Sequence, residues 1–134
     1  MKTKNIILTC IVGLAFLVSC RKDYLTTSDI STPVDPSQPI SYAATIEPIW
    51  VANCLGSGCH VSGGPSPVLE VGKSYDQLTQ LGYVDADTPD TIPANSKLYK
   101  RLIDTAKPMP TSGKMSSSKI QSVALWIQQG AQNK

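Results

Sequence analysis

The sequence predicts an all-α domain of about four short helices joined by long loops. Three observations carry this. Apolar residues recur at three- and four-residue intervals in separate segments, the period of an amphipathic helix. Side chains able to cap a helix stand just ahead of those segments. The stretches between them are rich in glycine and proline and show no convincing alternation of apolar and polar residues, which a half-buried strand would need.

The first helix is expected to run into Cys54. Ile46, Ile49, Trp50 and Asn53 share one face, Thr45 can cap it, and Pro48 falls in the first turn, where no intrahelical donor is lost. Ser74-Tyr75-Asp76-Gln77 has the form of a capping box and predicts a second helix to about Leu81. Asn95 or Ser96 can cap a third, with Leu98, Tyr99, Leu102 and Ile103 on its stripe. In the fourth, Ser117 or Ser118 caps, Ile120, Val123, Ala124 and Ile127 form the buried face, and Gly130 supplies the left-handed stop. Trp50, Tyr99 and Trp126 are packing residues in this reading, the tryptophans joining the first and last helices. Met115 is read as core, because an apolar residue just before a cap packs back on the first turns.

Ahead of the helices, Lys2 and Lys4 precede an apolar run over residues 6–18 that is too short for a spanning helix. Residues 1–19 therefore read as a signal peptide. The run ends Leu17-Val18-Ser19-Cys20, which resembles the bacterial lipobox, where the cysteine sulfur receives a diacylglycerol before cleavage. That likeness implies lipidation at Cys20 and a place in the bacterial cell envelope, anchored to a membrane on its periplasmic or cell-surface side. Each buried acyl methylene contributes about 0.8 kcal/mol to such anchoring. Residues 20–41 form the lipidated N-terminus and a flexible linker, with Pro33, Pro36 and Pro39 among hydroxyl and acidic residues. Residues 42–134 form one domain. The chain's single phenylalanine, Phe16, belongs to the signal, so this domain has a thin core for its size.

Taking Lys2 and Lys4 from the twelve Lys and Arg leaves ten, against ten Asp and Glu. That balance gives no reason to expect nucleic-acid binding. The distribution is uneven: Asp85, Asp87 and Asp90 cluster, while Lys97, Lys100, Arg101, Lys107, Lys114 and Lys119 follow with only Asp104 among them. A basic rim of this kind suits an acidic protein partner, and solvated helix faces account for it equally well.

The chemistry concentrates in NCLGSGCHV, residues 53–61, which holds two of the four cysteines and the only histidine. Three readings fit the residues. Cys54 and Cys59 can close a disulfide loop, which export would permit. They can join His60 in a metal site, although zinc would lack a fourth ligand, the domain having no further cysteine or histidine. Or the spacing CxxxxCH is a haem-attachment motif two residues longer than CxxCH, with Gly56 and Gly58 permitting the loop to bulge. Downstream, Lys107-Pro108-Met109-Pro110 sets a methionine between prolines, which predicts a stiff extended segment suited to a weak thioether ligand.

Taken in order, the parts resemble the small class I cytochrome c domains of bacterial membrane lipoproteins, over about residues 42–133. The likeness is carried by "NCLGSGCH", "NSKLY", "KPMP" and "LWIQQGAQ". It implies a fold wrapped around one covalently attached haem c, with Cys54 and Cys59 bonded to the haem vinyls, His60 the proximal iron ligand and Met109 the distal one. Lys97 or Arg101 would pair with a haem propionate. With both axial positions filled, the resemblance implies a carrier of single electrons between redox protein partners rather than an enzyme, its potential raised by methionine ligation and burial. The alternative, a haemless binding or structural lipoprotein with a Cys54–Cys59 disulfide, stays open on sequence alone.

Overall fold

The computed structural model describes residues 35–86 and 92–134. The signal peptide, Cys20, most of the linker, Asp87 and Asp90 lie outside the described residues. Within them the domain is all-α, with no strand. Four α-helices follow one another: α1 Glu47–Cys54, α2 Ser74–Gln80, α3 Lys97–Ile103 and α4 Ser117–Gln128. A π-helical turn at Tyr42–Ile46 leads straight into α1, and single 3-10 turns occupy Gly56–Gly58 and Pro93–Asn95. None of the described helices is long and apolar enough to cross a membrane.

The helices form where periodicity placed them, but several start differently. The first helical segment begins before Thr45: Ser41 is its cap, its hydroxyl accepting the Ala44 amide at 3.2 Å. Ser74 is the first residue of α2 and caps nothing. It is fully buried, accepts the Tyr42 hydroxyl at 2.7 Å and donates to Glu47 Oε1 at 3.0 Å. Trp50 Nε1 donates to the same Tyr42 oxygen at 3.2 Å, and Glu47 also takes the Gly72 amide at 2.8 Å. Gln77, the other half of the expected capping box, instead accepts the Val68 amide at 3.3 Å. Burial explains the diversion, since a phenol sealed from water needs a partner more than a helix end open to solvent does. The same burial pushes the Tyr42 hydroxyl up to about 12.

In α3 the Ser96 cap forms as expected, accepting the Tyr99 amide at 3.2 Å. Leu98 and Leu102 are buried and Tyr99 partly so, but Ile103 is 38% exposed. It is the last helical residue, and the chain turns away at Asp104. In α4 neither Ser117 nor Ser118 caps; Ser116 is the cap residue, and its hydroxyl lies 3.1 Å from that of Ser118. Ile120, Val123 and Ile127 are buried as expected, joined by Leu125 and Trp126, with Ala124 half-buried. The helix stops at Gly130 (φ 91°), where the Gly130 and Ala131 amides reach back to the Ile127 and Trp126 carbonyls at 2.9 and 3.0 Å. This is the pattern of a left-handed glycine stop.

The two ends of the domain meet in an aromatic cluster. Tyr42 packs on Trp126 and on Tyr75, each with ring centroids 5.2 Å apart. The first and last helical segments are thus joined through Tyr42 and Trp126, with Trp50 buried beside them and bonded to Tyr42. Met115 is buried in the same core, as expected. The end of the linker belongs to this layer too. Ile40 donates to the Gln129 side chain at 2.7 Å, Gln129 donates to the Gln38 carbonyl at 2.8 Å, and Tyr42 donates to the Lys134 carbonyl at 2.6 Å.

Candidate functional site

Helix α1 ends at Cys54 and hands the chain to the 3-10 turn Gly56–Gly58. Two residues of that turn are left-handed, Ser57 at φ 55° and Gly58 at φ 73°, while Gly56 is not. The bulge between the cysteines therefore rests on Gly58 and a strained serine, not on the two glycines the sequence pointed to. For an L residue the left-handed region costs roughly 1–2 kcal/mol. The loop is closed by the Cys59 amide on the Gly56 carbonyl and the His60 amide on the Cys54 carbonyl, both at 3.1 Å. Cys59 is left exposed and Cys54 half-buried, both as free thiols. Burial, reinforced by the neighbouring Cys59, pushes the Cys54 thiol up to about 11, so it is protonated near neutrality.

His60 is half-buried, and its Nδ1 lies 2.8 Å from the Pro67 carbonyl. A carbonyl only accepts, so Nδ1 carries a proton, and in the neutral ring Nε2 is the nitrogen that keeps the lone pair. The imidazole is thereby held in one tautomer and one orientation, as a metal-ligating histidine requires. The backbone reinforces this, the Leu69 amide donating to the His60 carbonyl at 2.7 Å. Gly64 matters here because a side-chain carbon at that position would lie 2.5 Å from the Cys59 carbonyl oxygen and 2.6 Å from that of Gly58. Only glycine lets this turn pass so close over the CxxxxCH loop. Outside it, Glu70 accepts from Lys73 and from the amide and hydroxyl of Ser62. The lysine contact first, then the two Ser62 bonds, hold its carboxyl down to about 2.

Met109 is half-buried and lies in a bend, with a cis peptide to Pro110, instead of the extended segment expected from the flanking prolines. The Asp104 carboxylate causes the fold-back by accepting the Ala106 and Lys107 amides at 2.8 and 3.0 Å. These two amides, Lys107 first, also lower the Asp104 pKa. The Met109 amide then donates to the Arg101 carbonyl at 3.2 Å, tying the loop to α3.

A cavity of about 490 Å3 is lined by Ser66, Leu81, Tyr83, Lys97, Lys100 and Arg101. A larger one of about 870 Å3 shares Tyr83 and Lys97 and reaches Tyr75 and Ile127. Neither lining includes Cys54, Cys59, His60 or Met109. The smaller cavity nevertheless takes one lining residue from beside each anchor. Ser66 precedes the proline that holds His60, and Arg101 is the residue that holds Met109. Among the described residues no three His, Cys, Asp or Glu side chains converge on a possible metal position.

Sequence reasoning missed Pro67, Gly64 and Asp104. The run Gly63-Gly64-Pro65-Ser66-Pro67 signals a tight loop, but not which carbonyl meets the histidine. Asp104 was legible only as a polar residue at a helix end, a common start of such turns. No family model matches the chain, and no curated protein or solved structure is significantly similar to it.

Proposed function

We propose that residues 42–134 are a mono-haem c-type cytochrome domain of the class I kind, tethered to a membrane of the bacterial cell envelope through Cys20, which carries single electrons between redox proteins outside the cytoplasm. The observation that carries this reading is the His60–Pro67 hydrogen bond of 2.8 Å. It turns Nε2 away from the backbone as the nitrogen left for a ligated metal, next in the chain to the free thiol of Cys59.

The donor set suits a haem. His60 would supply the proximal nitrogen, Met109 the distal sulfur, and Cys59 and Cys54 the thioether links. When bound, the haem iron supplies reversible one-electron exchange. The chain's own contribution is positional. Pro67 orients the imidazole, Gly64 lets the next turn seat the cysteine loop, and Asp104 with the Arg101 carbonyl restrains Met109. The proposed protein is a carrier and not an enzyme.

The test is the full chain produced in a host able to attach haem c, then denatured and assayed for haem that stays with the polypeptide. Covalent haem that is lost in His60→Ala and Cys59→Ser supports the reading. A colourless wild-type chain whose mass shows a Cys54–Cys59 disulfide would instead establish the haemless lipoprotein.

A further inference from the structure

We infer that Tyr42 is a redox-active tyrosine, oxidised by one electron to a neutral phenoxyl radical while its proton passes through the Ser74 hydroxyl to Glu47. This does not rest on the haem reading above. Three groups stand in line: the Tyr42 hydroxyl donates to Ser74 Oγ at 2.7 Å, and the Ser74 hydroxyl donates to Glu47 Oε1 at 3.0 Å. Each donor already points at the next acceptor, so both protons move one step in the same direction with no side chain rotating. Tyr42 is 2% exposed and Ser74 fully buried, whereas Glu47 is half-buried. The proton therefore reaches water at the carboxylate end.

The relay matters because a phenol that loses an electron becomes a strong acid. In a core sealed from water it can shed its proton only to a hydrogen-bonded acceptor. Burial keeps Tyr42 protonated near neutrality, its hydroxyl pushed up to about 12, so the proton must leave with the electron. The electron has a separate exit. Tyr75 stands edge-on to Tyr42 with ring centroids 5.2 Å apart, is half-buried, and lines the 870 Å3 cavity. Electrons tunnel between rings in such contact, whereas a proton moves only along hydrogen bonds. The co-reactant is a one-electron oxidant strong enough to oxidise a phenol, reaching Tyr75 from that cavity. One Tyr42 phenol and one oxidant thus give one phenoxyl radical, one reduced oxidant and one protonated Glu47. Trp50 Nε1, 3.2 Å from the Tyr42 oxygen, still donates to that oxygen once its proton has gone.

The experiment photolyses the full chain with ruthenium tris-bipyridine and persulfate, and reads tyrosyl radical by electron paramagnetic resonance in freeze-quenched samples. Circular dichroism checks the fold of each variant. A long-lived tyrosyl signal is expected, kept when Tyr24→Phe, Tyr83→Phe and Tyr99→Phe are combined and lost in Tyr42→Phe. Glu47→Gln leaves every ring in place and keeps a hydrogen-bond acceptor, but it cannot take up the proton. Radical formation in that variant should slow about a hundredfold, the lower end of what a positioned proton acceptor contributes. A long-lived signal that remains in Tyr42→Phe, or that forms in Glu47→Gln as fast as in wild type, overturns the proposal. Either result leaves the haem reading standing, because covalent haem is assayed independently.

Discussion

His60 is the residue on which the site turns, and its role is set by a proline seven positions later. If Nδ1 donates to the Pro67 carbonyl, nitrogen NMR of the haem-free chain should show the neutral ring with its proton on Nδ1 and not on Nε2. The opposite tautomer would remove the main support for ligation. The methionines give a second residue-scale prediction. Met115 is 7% exposed and sits in the core, whereas Met109 is half-buried in its own loop. Met115→Ala should therefore lower stability by about 2–5 kcal/mol while leaving in place the near-infrared sulfur-to-iron band that the proposed haem would give the oxidised protein. Met109→Ala should remove that band, open the iron to carbon monoxide and lower the potential. A band that disappears with Met115 instead would exclude Met109 as the ligand.

Among the elements, caps and cross-ties should rank by burial and not by their likeness to capping motifs. Ser74→Ala deprives the buried Tyr42 hydroxyl of its acceptor and Glu47 of a donor, at a cost of about 1–3 kcal/mol. Ser96→Ala removes a working cap on α3, worth about 1 kcal/mol. Ser117→Ala removes no cap bond and should stay within about 0.5 kcal/mol of wild type. Urea melts giving Ser117 the largest effect would contradict this packing. The Ser62–Glu70–Lys73 tie adds a dependence on pH. The Glu70 carboxyl lies at about 2 against an ordinary 4.5, so its stabilisation is fully present above 4.5 and is lost as pH falls towards 2. Glu70→Gln should be less stable than wild type at neutral pH, and the gap should close over that acid range. A gap that widened on acidification would have the wrong sign.

For the whole molecule, the linker and the domain meet just past the end of α4, where residues 38–42 are hydrogen-bonded to Gln129 and Lys134. The proposed anchor at Cys20 lies upstream of that junction, so Cys20→Ala should move the protein from membrane to soluble fractions without altering its visible spectrum. Retention on membranes would point to another attachment. Junction and CxxxxCH loop lie at opposite ends of the first helical segment, the one at Tyr42 and the other at Cys54. The proposed tether therefore joins the domain at the far end of that segment from the cysteine loop.

By itself the sequence determined the helical class, the order of the four helices, a cap for α3 at Asn95 or Ser96, and the Gly130 stop. Each of these depends on residues within about four positions of one another, where period and capping chemistry act. The crowding of thiols and histidine after α1 was legible for the same reason. Only the tertiary structure decided that Ser74 serves Tyr42, that Met109 is bent back onto α3, and that Pro67 holds the imidazole. It also decided that three cations of α3 share a cavity with Ser66. These partnerships join groups far apart in the chain or in competition for several neighbours, and burial settles them. A polar group shut away from water must be satisfied by whatever packing brings near, and no local pattern specifies that partner.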